Sequence, residues 1–97
     1  MRRLLWSDDA LDDFVEAIAF NARASPASAD AVADRIDEAA KALCDLSVGR
    51  PGRVSGTHEK RVLRTPYILS YLATPDAIVI LRVVHARRHW PDGDWPR

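Results

Sequence analysis

The residues best suited to chemistry are cations and an imidazole gathered late in the chain: Arg61, Arg64, Arg82, His85, Arg87 and Arg88. Such a set can cleave RNA without a metal. The attacking 2′-hydroxyl must lose a proton, the leaving 5′-oxygen must gain one, and guanidinium groups must stabilise the extra charge that builds on the phosphate. His85 is a candidate base or acid because imidazole titrates near neutrality. Arg61, Arg87 and Arg88 are candidates to hold the phosphate, the guanidinium being planar and bidentate. The same cluster reads equally as an electropositive strand end that docks acidic protein, and spacing alone leaves both readings open. His85 and His89 lie four apart at a strand end rather than on a helix. There is no zinc spacing of paired Cys and His, no glycine-rich phosphate loop and no Gly-x-Ser-x-Gly elbow, so no metal or cofactor is expected.

Two strands must position this cluster. Tyr67–Ala73 and Ala77–Val84 are strand-length runs, β-branched or aromatic, separated by Thr74-Pro75-Asp76, and they read as adjacent antiparallel strands. Strict alternation in the second run puts Val79, Leu81 and Val83 on one face and Ile78, Ile80, Arg82 and Val84 on the other. One face is expected to pack on helices, and the other is too apolar for bare solvent, which suggests a second chain as its cover. Glu59 to Arg64 reads as a charged strand in an exposed position. Gly49-Arg50-Pro51-Gly52-Arg53 reads as a turn-rich breaker. The tail from Trp90 to Arg97 carries Pro91, Gly93 and Pro96 and suits neither a helix nor a central strand, its tryptophans reading as apolar anchors or partner contacts.

The first half is helical. Arg2–Trp6 suggests a short strand, and Ser7 is the expected N-cap of a helix opened by Asp8 and Asp9, whose charge suits the helix dipole. Leu11, Phe14, Val15, Ile18 and Ala22 recur at helical spacing. Ser25 and Pro26 restart the pattern, and Val32, Ile36, Ala39, Ala40, Leu43 and Leu46 form a second stripe, supported by an Asp37–Lys41 pair. So short a connection makes the two helices an antiparallel hairpin.

With 97 residues the chain is expected to form one domain around one core. Formal net charge is zero, yet residues 1–46 carry five basic against ten acidic side chains, a net of −5, and residues 47–97 carry nine against four, a net of +5. Only the second half is therefore a candidate for binding phosphate or acidic protein. The single cysteine, Cys44, excludes an internal disulfide framework, suits the cytoplasm and reads as a buried helix residue. No apolar run is long enough to span a membrane, and the basic N-terminus is followed by acids instead of a signal-peptide apolar region.

The order of several pieces resembles the RelE/ParE superfamily of bacterial type II toxins: Trp6-Ser7 before the first helix, Gly52-Arg53, Gly56-Thr57-His58-Glu59, Pro66-Tyr67 with Tyr71 beyond, and Ile80 to Pro91. The resemblance spans nearly the whole chain. It implies an α+β fold of β-α-α-β-β-β order: a strand within 1–6, a helix hairpin over 8–46, a three-stranded antiparallel sheet over 57–86 and an irregular tail over 87–97. It also implies a cytoplasmic growth inhibitor neutralised by a cognate antitoxin in a hetero-oligomer, with no membrane partner. Arg64, Arg82, Tyr67, Tyr71 and Trp90 are then candidate contacts to antitoxin or target. RelE-like members cut mRNA on the ribosome, and Arg61 and Arg87 look like matches to their basic residues. Glu59 stands where those enzymes tend to have lysine, Ile68 where they have arginine, and no tyrosine follows Arg88. ParE-like members inhibit DNA gyrase and lack that catalytic set.

Overall fold

The computed structural model describes residues 2–45, 50–51 and 56–87. Strand β1 (Arg3–Trp6) leads into helices α1 (Asp8–Ala22) and α2 (Pro26–Asp45), followed by β2 (Arg50–Pro51), β3 (His58–Arg61), β4 (Tyr67–Ala73) and β5 (Ala77–His85). The strands form one mixed sheet in the order β1-β5-β4-β3-β2. β1 runs parallel to β5, pairing Arg3 with Ala77 through Trp6 with Ile80, and the other pairings are antiparallel. The first and last strands are thus neighbours, and the helix hairpin crosses between them on one face.

Local chemistry sets the helix ends. Ser7, in an extended conformation at φ −67° and ψ 162°, accepts from the Ala10 N–H at 3.0 Å. Asp8 and Asp9 occupy the first turn, where the dipole favours carboxylates. Ser25 accepts from the Ser28 N–H at 3.0 Å just ahead of Pro26, which needs no donor at that position. Alanines at the contact, Ala10 and Ala17 on α1 with Ala29 and Ala40 on α2, are buried and let the backbones approach. Asp37 and Lys41 form the expected pair at 2.8 Å. Both groups are solvated, so it contributes little.

The core lies between hairpin and sheet. Ile36, Leu43, Leu69, Tyr71, Ile78 and Ile80 are fully buried there, with Trp6 and Phe14 closing one side at a ring separation of 5.4 Å. Cys44 is buried as expected, and burial followed by the nearby Asp45 charge raises its pKa, which disfavours the thiolate. Among the described residues no helix is long and apolar enough to cross a membrane.

Three expectations are corrected. β3 ends at Arg61 instead of continuing to Arg64, because Pro66 has no N–H for a ladder and the chain must turn over 62–66. Glu59 in β3 is only 7% exposed, not a solvent-facing charge. Arg50–Pro51, read as part of a breaker, pairs with Glu59 and His58 as a two-residue edge strand.

The face assignment in β5 also changes. Ser70 pairs with Arg82 but Tyr71 pairs with Ile80, so Leu81 is an extra residue in β5. This bulge reverses the alternation. Ile78, Ile80 and Val83 therefore share the helix-facing side, while Val79 and Val84 fall opposite. That opposite face is less bare than expected. Ser70 and Val84 are buried, Ile68, Leu72 and Val79 are half-buried, and Leu5 at the margin is 40% exposed.

Ser7 also donates its hydroxyl to the Leu81 carbonyl at 2.8 Å, so one oxygen caps α1 and ties it to β5. Ser7→Ala is expected to cost about 1–2 kcal/mol in urea unfolding with an unchanged denaturant slope. A loss below about 0.3 kcal/mol would show that the double bond is not structural.

Candidate functional site

β1 stops pairing at Ile80, so β5 would present an open edge from Leu81 onward. Helix α1 covers it. The Ser7 N–H reaches the Ile80 carbonyl at 2.9 Å, and the Ser7 hydroxyl takes Leu81. One turn on, Asp13 accepts from the Val83 N–H at 3.0 Å. The same carboxylate receives Arg82 through Nε at 2.6 Å and Nη2 at 3.0 Å. The two side chains are 12% and 23% exposed, so this pair is partly desolvated. Hydrogen bonding to Asp13 pushes the Arg82 pKa still higher, and the guanidinium is charged at every accessible pH.

Below this clamp the end of the sheet opens into a groove of about 350 Å³ between α1 and the β4 and β5 strands. Asp13, Glu16 and Phe20 supply the helix wall, Tyr67 and Val83 the floor, and His85 and Arg87 the far lip. Tyr67 pairs with His85 across the ladder, and their rings meet edge to face at 5.3 Å. Asn21 donates to the Tyr67 hydroxyl at 3.2 Å and to the Ala17 carbonyl at 2.8 Å, fixing the tyrosine against α1. Arg87 donates its backbone N–H to His85 Nδ1 at 3.2 Å.

The register brings part of the predicted cluster together. Arg61 ends β3, Arg64 lies in the following turn, and His85 and Arg87 end β5, all at one end of the sheet. They do not share a face. Arg61 pairs with Ile68, one residue past Tyr67, so alternation points it away from the side that carries Tyr67 and His85. Arg82 is engaged by Asp13, within the fold. Tyr71 is fully buried and stacks on His58 at 5.5 Å, and Tyr67 shows only its groove edge. Arg88 and Trp90 lie outside the described residues. No metal-binding group of three His, Cys, Asp or Glu occurs among the described residues.

Sequence reasoning missed the helix wall. Asp13, Glu16 and Asn21 fall off the apolar stripe of α1, and nothing in their spacing assigns them a partner. Phe20 falls out of phase with the apolar stripe of α1 and is 56% exposed, which was a signal of a second use for that face.

A helix hairpin laid on one face of a mixed sheet, with the first strand parallel to the last and a basic rim at the end of that last strand, is the architecture of a small type II toxin. The chain belongs to the ParE toxin family: residues 4–90 match the sequence model described as ParE toxin of type II toxin-antitoxin system, parDE. It is 36% identical over 91 residues to Y4kP of Sinorhizobium fredii (strain NBRC 101917 / NGR234), a protein described as a candidate toxin, covering 93% of this chain and 94% of that one. A solved chain from a chromosomal ParDE TA system of P. aeruginosa superposes with a TM-score of 0.83, covering 90% of this chain and 98% of that one. Its identity of 24% supports the shared fold.

Replacing Tyr67 with Phe removes the acceptor for Asn21 while leaving the ring in place. Thermal or urea unfolding is expected to show a loss of about 1 kcal/mol. An unchanged midpoint would mean that the groove floor is held by packing alone.

Proposed function

We propose that this ParE-family toxin arrests growth by binding DNA gyrase without catalysing a reaction of its own, and that a cognate antitoxin neutralises it in a hetero-oligomeric complex. The observation that carries this reading is the division of the cations. Metal-free RNA cleavage needs guanidinium groups gathered on the phosphate beside a proton-transfer group. Arg82 is neutralised by Asp13, Arg61 faces away from His85, and Glu59 is buried where an RNA-cleaving relative tends to carry lysine.

The antitoxin reading rests on family membership and on the solved relative, which comes from a chromosomal ParDE TA system. The surface of α1 suits such a partner. Leu11 and Val15, four residues apart on one side of the helix, are 46% and 65% exposed and offer apolar area to a polypeptide laid along it.

Purified toxin is expected to inhibit supercoiling of relaxed plasmid by gyrase, and induction of the toxin alone to produce filamentation with DNA-damage signalling. Arg87→Ala is expected to retain most of that inhibition, since phosphate chemistry is not the mechanism. Early translation arrest, with mRNA cut at ribosome-occupied codons and lost in Arg87→Ala, would instead establish the ribosome-dependent endonuclease and overturn the gyrase reading.

A further inference from the structure

The turn joining β3 to β4, residues 62–66, combines features that a passive connection does not need. Arg64 has φ 63°, in the left-handed region where an L side chain crowds its own backbone, and no other described non-glycine residue has positive φ. The conformation is firmly held. The Val62 carbonyl accepts from the Thr65 N–H at 3.2 Å and from the Thr65 hydroxyl at 2.8 Å, and that hydroxyl accepts from the Tyr67 N–H at 3.1 Å. The Val62 N–H donates to the Tyr67 carbonyl at 3.0 Å, and Arg35 reaches over from α2 to the Arg64 carbonyl at 3.3 Å. On this braced tip Leu63 is 77% exposed, the highest value of any large apolar side chain described.

Glycine or asparagine would remove the strain at position 64. A polar residue would remove the exposed alkyl group at 63. The sequence keeps both, and sets exposed Arg61 and Arg64 on either side of Leu63. Arg87 belongs to the same end of the sheet, because the Ala86 N–H donates to the Pro66 carbonyl at 2.6 Å. The result is an apolar knob between guanidinium groups on a rigid support, a form suited to a binding anchor because little ordering entropy remains to be lost.

We infer that this turn is the surface through which the toxin engages its protein target, with Leu63 entering an apolar socket and Arg61 and Arg64 pairing with carboxylates at its rim. The inference rests on the toxin reading above and adds the contact. A protein partner is favoured over nucleic acid because a phosphate backbone offers the two arginines partners but gives Leu63 nothing to bury against. The turn lies at the sheet end, apart from the exposed apolar side chains of α1 to which the antitoxin is assigned.

The test uses full-length Leu63→Ser and Arg64→Gly, each induced alone and each co-expressed with the cognate antitoxin. Arg64→Gly is expected to keep or raise the melting temperature, by up to about 5 °C, since glycine accepts the left-handed backbone. Both variants are expected to restore colony formation at least tenfold while still co-purifying with the antitoxin. Growth arrest as strong as that of the parent in either folded variant would overturn the assignment. Loss of arrest in Arg64→Gly with full arrest in Leu63→Ser would replace the protein socket with a polyanion. Loss of antitoxin binding in both would make the turn an antitoxin contact instead. A parent chain that does not arrest growth would overturn the toxin reading itself, a result distinct from each of these.

Discussion

The structure depends on what Asp13 does for the last strand. A strand whose neighbour stops halfway leaves backbone groups exposed along its edge, and those next to a packed helix must find partners or pay for desolvation. Here the neighbour ends at Trp6, and the helix that follows immediately supplies Ser7 and then Asp13. One carboxylate binds the Val83 N–H and two guanidinium nitrogens of Arg82, so its charge is matched where solvent is largely excluded. The bulge at Leu81 sits one residue before Arg82, at the point where β5 exchanges β1 for α1 as its partner on that side.

That arrangement has functional consequences. Helix α1 is held over the edge of β5, and the groove from Phe20 to Arg87 is the space left beneath it. Arg82, which belongs by sequence to the basic cluster, is spent on structure. Among the described residues, what remains at the sheet end is a set of cations divided between two faces, with Arg61 on the side opposite Tyr67 and His85. A surface of this kind recognises through charge and shape. The strained, braced turn at Arg64 fits the same pattern, since a fold keeps such strain only where surrounding bonds enforce it.

The legible parts of the fold were those fixed by local rules. Ser7, Asp8 and Asp9 announced one helix and Ser25-Pro26 the next, because capping is chemistry within four residues. Thr74-Pro75-Asp76 gave the turn between β4 and β5, where the Thr74 hydroxyl accepts from the Asp76 and Ala77 N–H groups at 3.3 Å and 2.9 Å. The bulge was not legible. Apart from Arg82, Ile78 through Val84 is apolar in both phases of alternation, so a one-residue slip leaves little hydrophobicity pattern for the sequence to reveal. Nor could periodicity show that Asp13, on the polar side of α1, turns toward a backbone 70 residues away in the chain. The strand pairing puts Arg61 and His85 at one end of the sheet, while their division between two faces needed the register.

The central claim is best tested by a double-mutant cycle on Asp13 and Arg82, with Asp13→Asn, Arg82→Met and the pair measured by urea unfolding. Clamping of α1 to β5 by this ion pair predicts that the double variant loses less than the sum of the single losses, with a coupling of about 1–3 kcal/mol. Additivity within about 0.3 kcal/mol would contradict it and leave α1 held to the sheet by packing and Ser7 alone.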